Sequence, residues 1–253
     1  MNYSKNITNC SRVIQHAWHF CHAVVSVLKR YAEAWSLRAS HLNRALNEIG
    51  SIVDKIEVFL NKLVAFEHSE TVYNPYKDKN AVNNLREYLG LFLSDIGNVH
   101  MLVGEAPGYL GCRVTGIPFT SSEQLENTKH PALLKIKGKL RFSIIQSENT
   151  ANIMWEVLGE RNHIPLLWNS FPFHPYSKGK PQSNRAPNAS EIKIGREFLE
   201  DLYEIFSPSK VASIGRKGQK ALKTAFPNSE VQYIRHPSYG GKSGFIGGMQ
   251  NFI

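Results

Sequence analysis

With 253 residues, 42% of them hydrophobic, the chain is long enough to bury a sizeable core, and disorder is not its expected state. Its 30 Lys/Arg against 21 Asp/Glu give a net charge of +9, which suits a polyanionic partner because neutralised phosphates release counterions. Three cysteines, Cys10, Cys21 and Cys112, form no CxxC pair; this argues against a disulfide framework or a four-thiolate metal or iron–sulfur site and points to a reducing cytoplasm.

The amino terminus lacks the charged start, apolar stretch and small-residue cleavage site of a secretory leader. The apolar run from Ala23 to Leu28 is too short to span a bilayer, so no membrane association is expected. From Ser11 to Glu67 there is no Pro and no Gly but Gly50, and apolar residues recur at helical spacing: Val24, Leu28, Tyr31, Trp35, then Ile52, Ile56, Phe59, Leu63. The pattern predicts two or three long helices broken near Gly50. Residues 1–72 therefore read as a helical extension that either covers a flank of the main domain or binds a protein partner.

Tyr73-Asn74-Pro75-Tyr76 punctuates the join, and Val82–Leu93 reads as a further helix. Four short apolar runs follow as predicted strands: Val99–Val103, Ile164–Trp168, Val211–Ile214 and Val231–Ile234. Between the second and third, Asn188-Ala189-Ser190-Glu191 can cap a helix reaching Phe206, and Gly215–Phe226 is the next. Strand and helix alternate. The expected class is α/β, a three-layer α/β/α domain over 73–253 with a short, mainly parallel four-stranded sheet. The charge is uneven: residues 71–253 hold 22 of the Lys/Arg and 15 of the Asp/Glu, a net of +7.

In an open parallel sheet, ligands bind outside the carboxyl ends of the strands. Two Gly/Pro-containing segments follow predicted strands: Gly104-Glu105-Ala106-Pro107-Gly108, and Arg235-His236-Pro237-Ser238-Tyr239-Gly240 leading into Gly244-Phe245-Ile246-Gly247. Between them lie Gly116-Ile117-Pro118-Phe119, Leu167-Trp168-Asn169-Ser170-Phe171-Pro172 and Asn184-Arg185-Ala186-Pro187. Taken singly, each is an ordinary turn, core or cap sequence. In this order, over residues 73–250, they resemble the uracil-DNA glycosylase superfamily, and most closely its thermostable, iron–sulfur-containing branch.

The resemblance implies a DNA glycosylase that flips a base out of DNA and hydrolyses its glycosidic bond. A base within a duplex is unreachable, and extruding it costs about a few kcal/mol. Phe119 matches the ring that stacks on the extruded base, and such stacking is worth roughly 1–3 kcal/mol. Asn169 matches the base-reading asparagine, whose amide offers both a donor and an acceptor. His236 matches the histidine that stabilises negative charge on the departing base. Glu105 could hold or polarise the attacking water.

Three departures qualify the likeness. The branch's four cluster cysteines are absent, so no cofactor is implied. Its acidic residue after the first motif is replaced by Tyr109-Leu110-Gly111-Cys112-Arg113. The superfamily's archetypal Asp and Tyr positions are Ala106 and Gly108 here, so the aspartate's task falls to Glu105 or to another residue, and the tyrosine's steric gate at the pyrimidine 5-position is missing. The implied substrate is uracil or a modified, 5-substituted cytosine, with glucosylated hydroxymethylcytosine as the case that implies defence against phage. The alternative is a non-catalytic DNA-binding module of the same fold.

DNA contacts are expected from Ser238, Tyr239 and Lys242, in a loop that probes the minor groove, and from Arg216 and Lys217 at a helix start. Lys129, Lys135, Lys137, Lys139 and Arg141 form either a phosphate-contacting strip or a solvated face.

Overall fold

The computed structural model describes residues 40–253 apart from 160, 162 and 239. The helices expected over residues 11–39, and Tyr239, lie outside the described residues. The chain divides into two compact units, Met1–Asp54 and Lys55–Ile253. Of the first, the described part is the amino-terminal portion of helix α1 (Ser40–Ala65). That helix runs unbroken through Gly50, against the predicted break. A glycine within a helix costs only about 1 kcal/mol relative to alanine, too little to interrupt one this long.

The second unit contains the sheets. After β1 (Val72–Tyr73), helix α2 (Lys79–Gly90) starts at the side-chain cap of Asp78 and leads to β2 (His100–Gly104). Three short helices follow, α3 (Cys112–Thr115), α4 (Ser122–Glu126) and α5 (Pro131–Leu134), then α6 (Asn149–Leu158). Strands β3 (Leu166–Asn169) and β4 (His174–Pro175) precede α7 (Ala189–Phe206). The chain ends with β5 (Lys210–Ile214), α8 (Gly215–Ala225), β6 (Val231–Ile234) and α9 (Lys242–Gln250).

The main sheet has the order β3-β2-β5-β6 and is parallel throughout, with Gly104 opposite Asn169 and Val103 opposite Ser213. The four carboxyl ends therefore share one edge, and the ends of β2 and β6 are two strand spacings, about 10 Å, apart. A separate β1–β4 pair is antiparallel.

Burial on both faces explains the apolar runs: β3 is buried at every residue, and β2 at all but His100. Phe59 packs against Trp168 and Phe198, with ring centroids 5.4 and 6.1 Å apart, joining α1, β3 and α7 in one aromatic cluster. Asn188 and Glu191 form the reciprocal capping box that starts α7. Helix α8 lies so close to β2 that a Cβ at Gly218 would sit 2.7 Å from the Val103 carbonyl oxygen, so only glycine allows this approach.

The Gly244–Gly247 segment, expected in a groove-probing loop, is helical within α9. Phe245 and Met249, spaced i, i+4, are buried, and this pairing holds the helix despite its glycines. No helix among the described residues is long and apolar enough to cross a membrane.

Candidate active site

The carboxyl edge of the sheet gathers the loops that follow β2, β3, β5 and β6. The loop after β2 is pinned to the end of β3. Ser170 N donates to the Gly104 carbonyl at 2.9 Å, and the Glu105 carbonyl accepts from Phe171 N at 3.0 Å and Ser170 Oγ at 2.8 Å. Glu105 is thus fixed by its backbone, with its side chain half-buried at the mouth.

Phe119 and Asn169 meet over Gly104. A Cβ on Gly104 would fall 2.3 Å from the Phe119 ring and 3.0 Å from Asn169 Oδ1. Phe119 itself holds φ at 56°, a left-handed backbone unusual for a bulky residue. Its neighbours impose this geometry: Trp155 Nε1 donates to the Phe119 carbonyl at 3.0 Å, and Thr120 Oγ1 bonds the Ile117 carbonyl at 2.8 Å. Strain of this kind gathers at functional sites. The Asn169 residue is buried, and its side-chain amide makes no hydrogen bond among the described residues. A donor and an acceptor therefore stand beside an aromatic ring with their capacity unused.

His236 closes the other side. Its Cβ lies 3.6 Å from where a Cβ of Gly215 would be, so the imidazole side rests on the start of α8. The Nδ1 atom accepts from Ser238 N at 3.2 Å, which places the proton of the neutral ring on Nε2. Burial holds the imidazole below its ordinary range, against the opposing pull of the Glu105 and Glu148 carboxylates. A neutral ring with a fixed Nε2–H donor is the result.

Two partners were not legible in the sequence. Lys217 Nζ lies 2.8 Å from Glu105 Oε1, so a side chain expected to contact phosphate also pairs with the candidate carboxylate. Glu148 caps α6, its two oxygens accepting from Thr150 N at 3.0 Å and Ala151 N at 2.7 Å, while its Cγ lies 3.4 Å from a Cβ position on Gly111. It thus brings a carboxylate beside the segment where the first motif's later acid is missing. Its only sequence signal was an acid just ahead of an apolar-periodic helix.

Gly108 is open: a Cβ there would touch only the Asn184 amide, at 3.9 Å. Asn184 Oδ1 accepts from Tyr109 N at 3.0 Å, and Arg185 holds Glu191 through two guanidinium contacts of 2.7 and 2.6 Å. His174 bonds the Pro107 carbonyl through Nδ1 at 2.8 Å and braces the loop from below. Cys112 is buried and its thiol is pushed up to about 12 by desolvation, so it is no nucleophile.

Among the expected DNA contacts, Arg216 is exposed and Ser238 half-buried beside His236. Lys242 is the first residue of α9 rather than a loop residue, and pairs with Glu156 at 3.0 Å. In the 129–141 strip, Lys139 pairs with Glu87 at 2.8 Å, and the Arg141 guanidinium bonds the carbonyls of Gly138 and Leu140.

The sequence family described as the Uracil DNA glycosylase superfamily matches residues 94–244, which include every residue named in this site. The fold resembles the crystal structure of wild-type Pedobacter heparinus SMUG2, with a TM-score of 0.58 at 12% identity, covering 79% of this chain and 95% of that one. No curated protein matches the chain.

Proposed function

The chain belongs to the uracil DNA glycosylase superfamily, and from that premise we propose that it extrudes a base from DNA and hydrolyses the N-glycosidic bond, leaving an abasic site in an uncut strand. Membership supports a glycosidic-bond hydrolase acting on DNA. The observation that carries the finer reading is the meeting of a half-buried aromatic ring, an unused buried amide and a fixed Nε2–H donor at one sheet edge.

In this reading the flipped base stacks on Phe119 while Asn169 reads its edge. As the bond from C1′ to the base nitrogen breaks, its electron pair leaves with the base, and His236 Nε2–H donates to the base oxygen where that charge collects. The sugar becomes cationic. Glu105, held by Lys217, faces that cation and takes a proton as water adds to C1′. Glu148 adds a second fixed negative charge. Arg216, Ser238, Tyr239 and Lys242 serve the DNA backbone, Lys242 by exchanging the exposed carboxylate of Glu156 for phosphate.

The substrate class is a pyrimidine, uracil or a 5-substituted cytosine; the open space beside Gly108, which the resemblance assigns to the 5-position, supports the 5-substituted reading. Glucosylated hydroxymethylcytosine as substrate would place the enzyme in cytoplasmic defence against phage. The test is single-turnover incubation with DNA containing each base, followed by alkaline cleavage of abasic sites. His236→Ala is expected to slow excision by about 10²–10³ while duplex binding persists. Absence of abasic product across the panel would leave the fold as a DNA-binding module alone.

A further inference from the structure

The turn that carries Phe119 is closed by local bonds. Ile117 N donates to Thr115 Oγ1 at 3.1 Å, Thr120 Oγ1 donates to the Ile117 carbonyl at 2.8 Å, and the two threonine hydroxyls lie 2.8 Å apart. The start of the turn is tied to α2, where Asn84 Nδ2 donates to the Thr115 carbonyl at 2.9 Å and Gly116 packs too closely on the Ala81 carbonyl to admit a Cβ. From Ile117 to Thr120, one hydrogen bond among the described residues reaches outside the turn. It runs from Trp155 Nε1, on α6, to the Phe119 carbonyl at 3.0 Å, across 36 positions of chain.

That acceptor belongs to the residue whose φ is 56°. The left-handed conformation costs a residue with a side chain about as much as a lost partner costs a buried polar group. The bond and the strain are therefore of one size, and losing the donor leaves the strain unopposed. A rotamer follows its backbone, and the Phe119 ring lies over Gly104 with no room for a Cβ between them. A change in the Phe119 backbone thus moves the ring away from the end of β2. The donor itself is fixed by packing. Trp155 is buried, and the His130 ring meets its indole edge-on, with centroids 5.0 Å apart and planes at 76°. His130 is held in turn, its N–H donating to Thr128 Oγ1 and its Nδ1 accepting from Ala132 N, each at 3.2 Å.

We propose that Trp155 is a positioning residue for base excision: its indole N–H holds the Phe119 backbone in the left-handed conformation and so fixes the ring on which the extruded base stacks. The proposal rests on the glycosylase reading. Trp155 touches no substrate and acts through Phe119 alone. Its effect must therefore vanish when residue 119 has neither a ring to place nor a strain to hold, and glycine meets both conditions.

The experiment is a double-mutant cycle on the full chain. Trp155→Phe removes the donor, and 3-benzothienylalanine at position 155 removes it while keeping the bicyclic shape. Each change is made in the parent and in Phe119→Gly, and single-turnover excision of uracil from a duplex oligonucleotide is measured. In the parent, loss of the N–H is expected to slow excision roughly ten- to a hundredfold, the cost of a misplaced group. In Phe119→Gly it should slow excision no further. Equal factors in the two backgrounds, or no loss in the parent, overturn the proposal. The benzothienyl variant decides if Trp155→Phe does not fold. A second readout needs no cleavage. The carbon-13 shifts of Phe119 Cα and Cβ, identified as the phenylalanine signals missing from Phe119→Gly, report its backbone conformation. They should move toward those of a right-handed or extended phenylalanine when the N–H is lost, and unmoved signals overturn the proposal. If the parent excises no uracil, the glycosylase reading fails for that base, and the shifts alone decide whether Trp155 holds Phe119.

Discussion

Lys217 Nζ lies 2.8 Å from Glu105 Oε1, tying the first turn of α8 to the loop after β2. The two residues are 112 positions apart in the chain and are brought together by the close seating of Gly218 on β2. Both side chains are partly exposed, so the pair adds little to stability, about 0–1 kcal/mol. Its consequence is positional. A glutamate on a loop has several rotamers, and an ammonium anchored on a helix selects the one facing the cleft.

Lys217→Ala is therefore expected to leave the thermal midpoint within about 3 °C, a shift that corresponds to less than 1 kcal/mol. The same variant should slow single-turnover excision about tenfold or more, the cost of a misplaced reacting group. Lys217→Arg should restore much of the loss. If Lys217→Ala instead weakens duplex binding with no change in the excision step, the residue serves phosphate alone.

The backbone of Phe119 offers a second test. Its φ of 56° costs a non-glycine residue about 1–2 kcal/mol. Phe119→Gly relieves that strain and Phe119→Ala does not, while both remove the ring. Glycine at this position should therefore give a higher denaturation midpoint than alanine, with excision impaired to the same degree in both. Equal midpoints would mean that the conformation relaxes without the ring. Unimpaired excision would mean that the ring does not stack on the base.

Acid should destabilise the protein through its buried histidines. Burial lowers His130, His174 and His236. For each, the folded value lies below the unfolded one, about 6.5. Above that pH both states are neutral and the contribution is complete. As pH falls, the unfolded chain takes up protons first, and stability is lost down through the folded values. His174 is the sharpest case, since its burial is joined by the charges of Arg113 and Arg185, against the opposing backbone contacts of Pro107 and Pro181. His174→Asn keeps a donor for the Pro107 carbonyl but cannot titrate. Urea midpoints at pH 7.5 and 5.5 should differ less for this variant than for the parent, and an equal difference would remove His174 from the account.

The sheet was legible because β2, β3 and β5 are short apolar runs buried over nearly their whole length, while β6, at the sheet's edge, keeps a β-branched and aromatic run although only Ile234 is buried; the observed bounds differ from the expected ones by at most two residues. Asn188 and Glu191 announced α7 because a capping box is a local device, written within four residues. The shared edge of Glu105, Phe119, Asn169 and His236 was legible from motif order once the strands were taken as parallel. The partners of those residues were not. Lys217 looks like any basic residue at a helix start, and only the packing of α8 on β2 turns it toward Glu105. Glu148 looks like a cap, which it is, and its place beside Gly111 depends on the fold of the intervening loops. Gly50 and Gly244–Gly247 misled for one reason: local propensity is worth about 1 kcal/mol per glycine, and buried side chains such as Phe245 outweigh it.

Gly108 is the residue proposed to set which bases the pocket admits. A Cβ placed there meets only the Asn184 amide, at an ordinary contact distance of 3.9 Å, so a side chain at this position can be built without moving the backbone. A tyrosine would then extend into the space that the resemblance assigns to the pyrimidine 5-position, which glycine leaves empty. Uracil carries only hydrogen at that position and should still fit. A hydroxymethyl or glucosylated hydroxymethyl group would meet the ring, and overpacking of this kind typically costs 1–3 kcal/mol or more, a loss of about ten- to a hundredfold. Gly108→Tyr is thus expected to lower excision of 5-substituted pyrimidines relative to uracil by that factor. The comparison requires only the ratio of single-turnover rates on two oligonucleotides that differ in one base. If the ratio is the same in parent and variant, Gly108 does not face the 5-position, and specificity at that carbon must be sought elsewhere, beginning with the Asn184 amide that borders the same space.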